Sequence, residues 1–325
     1  MFVEHRRGRF TSSSTDKHPL EQSEHANKGA STYRLNEHVT FCILTMNRTP
    51  WLKRCISSIR QYCPKPYSVK ILSQGYPDQE LAGFLARLSD NFEVVISPIN
   101  LGCGGGRRLL TEKVVSPLIM TIDDDMYLTE NAIPAAMQAF RRDDRLGAVS
   151  MPQYDMEGRL ISAGGRRLIV RNGVIFRPRP RLDFSAELTE VEDLDGGAMI
   201  YRSEMRKSFS WDPNLYDFED LDKSIQIMTD GVWKQGIVPK GKLIHDRSWL
   251  ARNPVYEKTR FDGLAWRRQY RSFRSKWRMR LDLKSHLLFE CAYPLVTVFR
   301  SQWVISAINI LIQIRATRQA HQARA

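Results

Sequence analysis

The sequence predicts an α/β protein with a mainly parallel central sheet flanked by helices. Short β-rich runs alternate with helix-patterned segments between about residues 39 and 141. This alternation is typical of a parallel sheet covered on both faces. The chain has 325 residues, of which 42% are hydrophobic, and it can therefore bury a large core. We expect one large α/β domain that binds its ligands at the carboxyl ends of the strands.

Four strand and helix units make up the first half of this domain. The predicted strands span residues 39–44, 68–73, 92–97 and 117–122, and the predicted helices span 51–62, 78–90, a segment after 106, and 130–141. Beyond them we predict a strand at 147–152, a hairpin region at 159–176, a helix within 211–233 and a strand within 236–246. Asn172 followed by Gly173 marks the hairpin, because this pair is a strong signal for a tight turn between strands.

The predicted domain, residues 38–250, lies between two segments of different composition. Residues 1–37 are polar, without an apolar period or the apolar run of a secretory signal, and are predicted to be flexible. Residues 251–325 are predicted to form a basic and apolar helical extension. Its apolar part is interrupted by Glu290, Pro294 and Arg300, which favours lying on an anionic membrane rather than crossing it. Packing on the core is the alternative, and RNA binding is a third use that no motif supports.

The charge and the cysteines indicate the kind of partner and the compartment. The net charge of +13 favours anionic partners such as nucleotides, nucleic acid or an acidic membrane surface. The five cysteines are scattered and lack the paired spacing of a zinc site. We expect reduced thiols in a cytoplasmic protein, peripheral on the cytoplasmic face of the membrane.

Three consecutive carboxylates, Asp123, Asp124 and Asp125, directly follow the fourth predicted strand. Mg²⁺ and Mn²⁺ prefer oxygen ligands and are commonly bound by one or two carboxylates together with phosphate oxygens. An isolated acidic triplet is more often a solvated loop. The position at a strand end favours a site for a divalent cation and a diphosphate.

Two further segments carry candidate binding or catalytic groups. Residues 100–108 read NLGCGGGRR, and glycines beside a helix N-terminus let backbone approach a phosphate. A dinucleotide fingerprint would need glycine in place of Arg107, and a structural loop is the alternative. Glu219 and Asp220 begin a helical segment, where they can supply a general base or simply stabilise the helix N-terminus.

In order and spacing these motifs resemble glycosyltransferase family 2, whose members have the GT-A nucleotide-sugar-binding fold. The matching segments are ILTMNRTPWLKRCISSI at 43–59, NLGCGGGRR at 100–108, TIDDDMYL at 121–128, LDGGAMIYR at 194–202 and FEDLDKSIQI at 218–227. The resemblance covers residues 39–246. It implies a metal-assisted, inverting transfer from a nucleotide sugar, with a UDP-sugar as the favoured donor. The implied acceptor is a glycan or a lipid-linked glycan, as in cell-surface polysaccharide or glycoconjugate biosynthesis, and nucleic acid is not an expected partner.

The resemblance also implies roles for individual residues. Asp220 would be the catalytic base, supported by Glu219. Mn²⁺ or Mg²⁺ would be held by Asp123, Asp125 and His245. The donor nucleotide and diphosphate would be bound by Thr45, Asn47, Arg48, Gln74, Asn100, Gly102, Arg107, Asp123 and Asp124. Gly196 and Gly197 would lie on the acceptor side.

Departures from the family pattern leave the donor base open. Ser73 and Gln74 stand where many members carry an aspartate that reads the base, and Arg108 replaces a frequent asparagine. A sugar-phosphate nucleotidyltransferase is a second candidate, although residues 45–50 match its basic glycine-rich loop poorly. A non-catalytic membrane or nucleic-acid adaptor on a transferase-like core is the third.

Overall fold

The computed structural model describes residues 38–216, 218–248 and 262–293. The first part alternates strands and helices: β1 (Val39–Thr45), α1 (Thr49–Tyr62), β2 (Tyr67–Gln74), α2 (Gln79–Leu85), β3 (Phe92–Ser97), α3 (Gly102–Thr111), β4 (Leu118–Asp123), β5 (Met126–Leu128), α4 (Ala132–Arg142) and β6 (Leu146–Ser150). Short strands follow: β7 (Gln153–Tyr154), β8 (Leu160–Ser162), β9 (Gly165–Arg166), β10 (Ile169–Arg171), β11 (Val174–Phe176), β12 (Thr189–Val191), β13 (Asp193–Leu194) and β14 (Ala198–Arg202). After a 3-10 helix at Ser203–Lys207 come α5 (Glu219–Asp230), β15 (Lys234–Ile237), β16 (Leu243–His245), α6 (Gly263–Trp277), β17 (Arg280–Leu281), α7 (Leu283–Leu287) and a π-helical turn at Leu288–Ala292.

An eight-stranded sheet in the order β12-β15-β6-β14-β4-β1-β2-β3 forms the centre of the fold. Strands β1 to β4 are parallel to one another, whereas β14 runs antiparallel between β4 and β6. All seven residues of β1 are buried. Phe41 and Ile43 pack with α1 and α4 on one face, while Cys42 and Leu44 pack with α3 on the other. The prediction of an α/β fold with a covered, mainly parallel sheet is therefore confirmed.

Two predicted elements differ from the structure. Helix α3 begins at Gly102 instead of after Gly106, so the glycines lie within the helix and not in a loop before it. A side chain at Gly104 would overlap the carbonyl oxygens of Asp212 and Leu215, so tight packing explains these glycines. The single strand predicted within 236–246 is two strands: β15 joins the central sheet, and β16 joins a second sheet with β5, β7 and β8.

The predicted hairpin forms between β10 and β11. Arg171 pairs with Val174, which leaves Asn172 and Gly173 as a two-residue turn. Their φ angles are 50° and 72°, the left-handed values that the favoured hairpin turns require. Strand β17 from the C-terminal part adds to this hairpin, parallel to β11.

The described part of the C-terminal extension packs on the core. Tyr270 and Phe273 of α6 are fully buried in a cluster with Phe218, Leu221 and Ile225 beside the start of α5. In the described ranges, no helix combines the length and the apolar composition needed to cross a bilayer. The segment predicted to be flexible, residues 1–37, and the apolar residues from 294 onward lie outside the described residues.

Candidate active site

The predicted site residues come together at the carboxyl ends of the parallel strands. Thr45 ends β1 and Asp123 ends the neighbouring β4. The Asp123 amide donates a hydrogen bond to the Gly197 carbonyl at 2.9 Å, directly before β14. This is the edge at which ligands of open α/β sheets bind.

Asp124 is an internal anchor beneath this edge. It is fully buried, and its Oδ2 accepts hydrogen bonds from Thr45 Oγ1 at 2.7 Å and from Arg48 Nε at 3.0 Å. Arg48 Nη2 also contacts Asp124 Oδ1. Burial raises the pKa of Asp124 to about 7, against the opposing effect of Arg48. The Asp124 carboxylate thus fixes Arg48 and is not itself at the surface.

Asp125 begins a chain of polar contacts that reaches Asp195. Asp125 Oδ2 lies 3.1 Å from Arg48 Nη1, and its Oδ1 lies 3.8 Å from His245 Nε2. His245 Nδ1 is 3.3 Å from Gln153 Oε1, and Gln153 Nε2 donates to Asp195 Oδ2 at 3.1 Å. An ionised carboxylate can only accept, so the Gln153 amide nitrogen must face Asp195 and its oxygen must face the imidazole. His245 Nδ1 is then the donor, and Nε2 is directed to Asp125.

Arg107 joins the two halves of the site. This buried guanidinium has one nitrogen, Nη2, 3.1 Å from Asp123 Oδ1. Its Nη1 lies 2.5 Å from Glu219 Oε1 and 3.3 Å from Asp220 Oδ1. The Trp211 ring lies against it, 5.4 Å from Cζ to the ring centroid. A single arginine therefore connects the end of β4 with the start of α5.

The two acids of α5 differ in accessibility. The side chain of Glu219 is 6% exposed, whereas that of Asp220 is 30% exposed. Desolvation raises the pKa of Asp220 above its ordinary value, while Arg107 and Lys223 act to lower it. Glu219 therefore contacts Arg107 from a buried position, whereas the Asp220 carboxylate reaches the surface.

Gly196 and Gly197 are required by the close approach of the acidic side chains. A Cβ atom at Gly196 would overlap Asp220 Oδ1, and one at Gly197 would overlap the Asp123 carboxylate. Both glycines therefore leave room for groups of the site itself.

Replacement of Gly197 by Ala is expected to displace the Asp123 carboxylate and to lower turnover by about 100-fold, the cost of misplacing a site group by about 1 Å. Steady-state kinetics with a nucleotide sugar measure this effect. Gly83→Ala is the control, because its Cβ would meet only the Arg87 side chain, at 3.8 Å. Equal turnover in the two variants would show that the space Gly197 leaves for the Asp123 carboxylate is not needed for activity.

Four other predicted donor-site residues hold the surrounding loops. Gln74 Oε1 accepts from the Leu101 amide at 2.7 Å, and Asn47 Oδ1 accepts from the Asp78 amide at 2.9 Å. Asn100 Nδ2 contacts the Tyr216 hydroxyl at 2.5 Å. The Tyr216 ring covers Gly102, whose φ is 70°. The structure therefore holds all four in contacts within the chain.

Helix α6 contacts the residues that flank the start of α5. These contacts were not predicted from the sequence. Lys276 Nζ lies 2.8 Å from Asp212 and 2.7 Å from Asp222. Trp277 Nε1 donates to Asp222 at 2.7 Å, and the Tyr216 amide donates to Gln269 Oε1 at 2.7 Å. Gln153 was not predicted as a site residue either. Its position as a polar residue directly after the apolar strand predicted at 147–152 could have indicated it.

Comparisons with known proteins agree with this fold. A model of glycosyl transferase family 2 matches residues 40–209. The crystal structure of GalNAc-T7 with UDP, GalNAc and Mn²⁺ superposes with a TM-score of 0.53 at 14% identity, covering 82% of this chain and 58% of that one. S. aureus TarS superposes with a TM-score of 0.50 at 11% identity, covering 81% and 43%. The chain thus spans less than two thirds of either structure, and no curated protein matches its sequence.

The two superpositions show the fold, and the family match extends over more than half of the chain. It contains the end of β1, the glycine-bearing α3, the aspartates after β4 and the Gly196-Gly197 pair. The chain therefore belongs to glycosyl transferase family 2 and has the GT-A fold.

Proposed function

We propose that the protein transfers a sugar from a nucleotide-sugar donor to a hydroxyl group with inversion, assisted by a divalent metal. The observation that carries this proposal is the position of Arg107 between Asp123 and the acids of α5. An inverting transfer needs a base for the acceptor hydroxyl on one side of the anomeric carbon and a stabilised diphosphate on the other. On one side of Arg107 lies Asp220, which would serve as the base, and on the other lies Asp123, two residues before the Asp125 that would hold the metal and through it the diphosphate.

Asp220 is the proposed catalytic base. Its carboxylate is partly exposed beside Gly196, so an acceptor hydroxyl can approach it. Desolvation raises the pKa of Asp220 above its ordinary value, and a higher pKa makes the carboxylate a stronger base. As the hydroxyl oxygen attacks the anomeric carbon, its proton passes to Asp220 and the bond to the diphosphate oxygen breaks. Glu219 holds Arg107 in position for this step.

Asp125 and His245 are the proposed protein ligands of the metal. Their facing atoms are 3.8 Å apart, too far for a hydrogen bond but compatible with both lying about 2.1 Å from one cation. Within the described ranges no three acidic, His or Cys side chains form a complete metal site. Asp123, the third ligand that the resemblance implies, contacts Arg107 at 3.1 Å and is not proposed as a ligand, so diphosphate oxygens would supply the remaining ligands. A mixed imidazole and carboxylate pair favours Mn²⁺ over Mg²⁺, and GalNAc-T7 was solved with Mn²⁺. When bound there, the metal neutralises charge on the departing nucleoside diphosphate.

Chelation with EDTA is expected to lower turnover by at least about 100-fold, because several kcal/mol of charge stabilisation are lost. Added Mn²⁺ should restore the turnover of the parent protein but not that of Asp125→Ala. The control is Asp90→Ala, an exposed aspartate far along the chain from the site. Full activity after chelation and in Asp125→Ala would rule out the metal role.

A UDP-sugar is the proposed donor, since GalNAc-T7 was solved with UDP and the fold is shared. The proposed acceptor is a glycan or lipid-linked glycan at the cytoplasmic face of a membrane. Residues 38–250 would form the catalytic domain, and residues 251–325 an extension that braces it through α6. A screen of UDP, GDP, CMP and dTDP sugars with Mn²⁺ by thermal shift tests the donor, because a ligand that binds the native state raises Tm. Release of pyrophosphate rather than nucleoside diphosphate would indicate nucleotidyl transfer.

A further inference from the structure

The small sheet formed by β10, β11 and β17 has one buried and one exposed face. Val170, Ile175 and Leu281 face the core. Because side chains alternate along a strand, the opposite face carries Ile169, Arg171, Val174, Phe176 and Arg280, which we term the outer face. Ile169 and Phe176 are directly paired across the hairpin and are 37% and 40% exposed. A cavity of about 430 Å³ opens between them, lined also by Arg171, Arg177, Pro178 and Asp282.

Charge around the outer face is positive on balance, because Arg171 and Arg280 outnumber Asp282, the acid that lines the cavity. Residues 164–182 contain six arginines and no acidic residue. Three of these arginines are paired with acids from other segments, as Arg177 is with Asp193 at 2.6 Å. Within the described residues, Arg171 and Arg280 have no ion pair. Next to β17, helix α7 adds Leu283 and Leu287, two exposed leucines four residues apart and so on one side of the helix.

We propose that the outer face docks on an anionic lipid bilayer, which deepens the proposed function by assigning the membrane contact to a surface. Apolar side chains that enter the interface and arginines that reach lipid phosphates are the two features such docking needs. A soluble polyanion would satisfy the arginines but would leave Ile169 and Phe176 exposed to water. An anionic bilayer would bind the arginines and would also remove Ile169 and Phe176 from water.

The cationic stretch of α6 is a poorer membrane contact than the sequence suggested. Arg267, Arg271 and Arg274 all contact Glu290, at 3.2, 2.9 and 2.9 Å. Lys276 is held by Asp212 and Asp222. Of the α6 cations, only Arg268 has no ion pair within the described residues, whereas Arg171 and Arg280 of the outer face both lack one.

Two other occupants of the outer face are disfavoured by charge. Residues 294–325 of this chain are partly apolar but contain four arginines and no acidic residue, so they would bring like charge to this surface. A second copy of the chain carries a net charge of +13 and meets the same repulsion. Anionic lipid is the occupant with complementary charge.

Sedimentation of the full chain with vesicles tests the proposal. Vesicles of phosphatidylcholine alone are compared with vesicles that also contain phosphatidylglycerol. We expect binding to the anionic vesicles only, and a loss of about fivefold in the partition coefficient for each of Arg171→Ala and Arg280→Ala. The double variant Ile169→Ser/Phe176→Ser should lose at least as much. Val115→Ser, at a residue that is 97% exposed elsewhere, and Lys113→Ala are the matched controls, and circular dichroism confirms that each variant is folded.

The proposal is overturned if the parent does not bind anionic vesicles, or if the outer-face variants bind as the parent does. The latter result would assign binding to another segment such as residues 294–325. Release of nucleoside diphosphate is measured on the same samples without vesicles. The outer-face residues lie outside the catalytic site, so their variants should keep this activity. Absence of release from every sample would refute the proposed transfer, while the vesicle result would still decide the docking surface.

Discussion

Replacement of Asp220 by Asn is expected to lower kcat by about 10²–10⁴-fold, the usual contribution of a general base. The amide keeps the shape of the side chain but cannot take the acceptor proton. Because Asp220 is partly exposed and is proposed to contact the acceptor hydroxyl rather than the donor, donor affinity should change little. Calorimetric titration with UDP and Mn²⁺ measures that affinity, and release of nucleoside diphosphate measures turnover.

Asp230→Asn is the matched control for Asp220→Asn. Asp230 is an exposed aspartate at the other end of α5, so its replacement should leave kcat unchanged. Loss of donor binding in Asp220→Asn would show that the acid acts in binding. Unchanged kcat would remove Asp220 from the mechanism.

Replacement of Arg107 by Met is expected to reduce the free energy of unfolding by about 3–5 kcal/mol, the cost of breaking a buried ion pair. The guanidinium is 4% exposed, and without it the Glu219 carboxylate would be left buried without its cation. Asp123 and Asp220 would also lose their common partner. Turnover should therefore fall together with stability, and urea unfolding followed by circular dichroism measures the stability change.

The double variant Arg107→Met/Glu219→Gln separates the buried charge from the loss of packing. A neutral amide at position 219 needs no cation, so the double variant should recover part of the lost stability but none of the activity. A loss below about 1 kcal/mol in the single variant, as is typical of exposed ion pairs, would contradict the central position of Arg107.

Local pattern was sufficient for most of the fold. Strand β1 could be predicted because a continuous apolar run is needed where both faces of a sheet are covered, and the Asn172-Gly173 turn could be predicted because left-handed φ angles favour these residues. The start of α3 could not be predicted from its glycines. They disfavour a helix in isolation, and only the packing of residues 212–216 against them makes the helical start favourable.

The site, like the fold, could be predicted only in part from local sequence. The Asp triplet could be located because a strand end is defined locally, and the resemblance supplied Arg107, Asp220 and His245. Burial then separates Asp123 from the other two aspartates, since the Asp123 side chain is 38% exposed, whereas Asp124 and Asp125 are buried and both contact Arg48. The contacts of Gln153 with His245 and of α6 with Asp222 join residues 92 and 55 positions apart. No local pattern encodes such distant contacts.

Time-resolved proton NMR of donor cleavage tests both the inversion and the role of Asp220. The purified chain is incubated with an α-linked UDP-sugar and Mg²⁺, which does not broaden proton signals, so that water takes the place of the acceptor hydroxyl beside Asp220. We expect UDP to appear together with the β-anomer of the free sugar before mutarotation, and Asp220→Asn to abolish both signals. Initial release of the α-anomer, or release that persists in Asp220→Asn, would contradict an inverting transfer with Asp220 as its base.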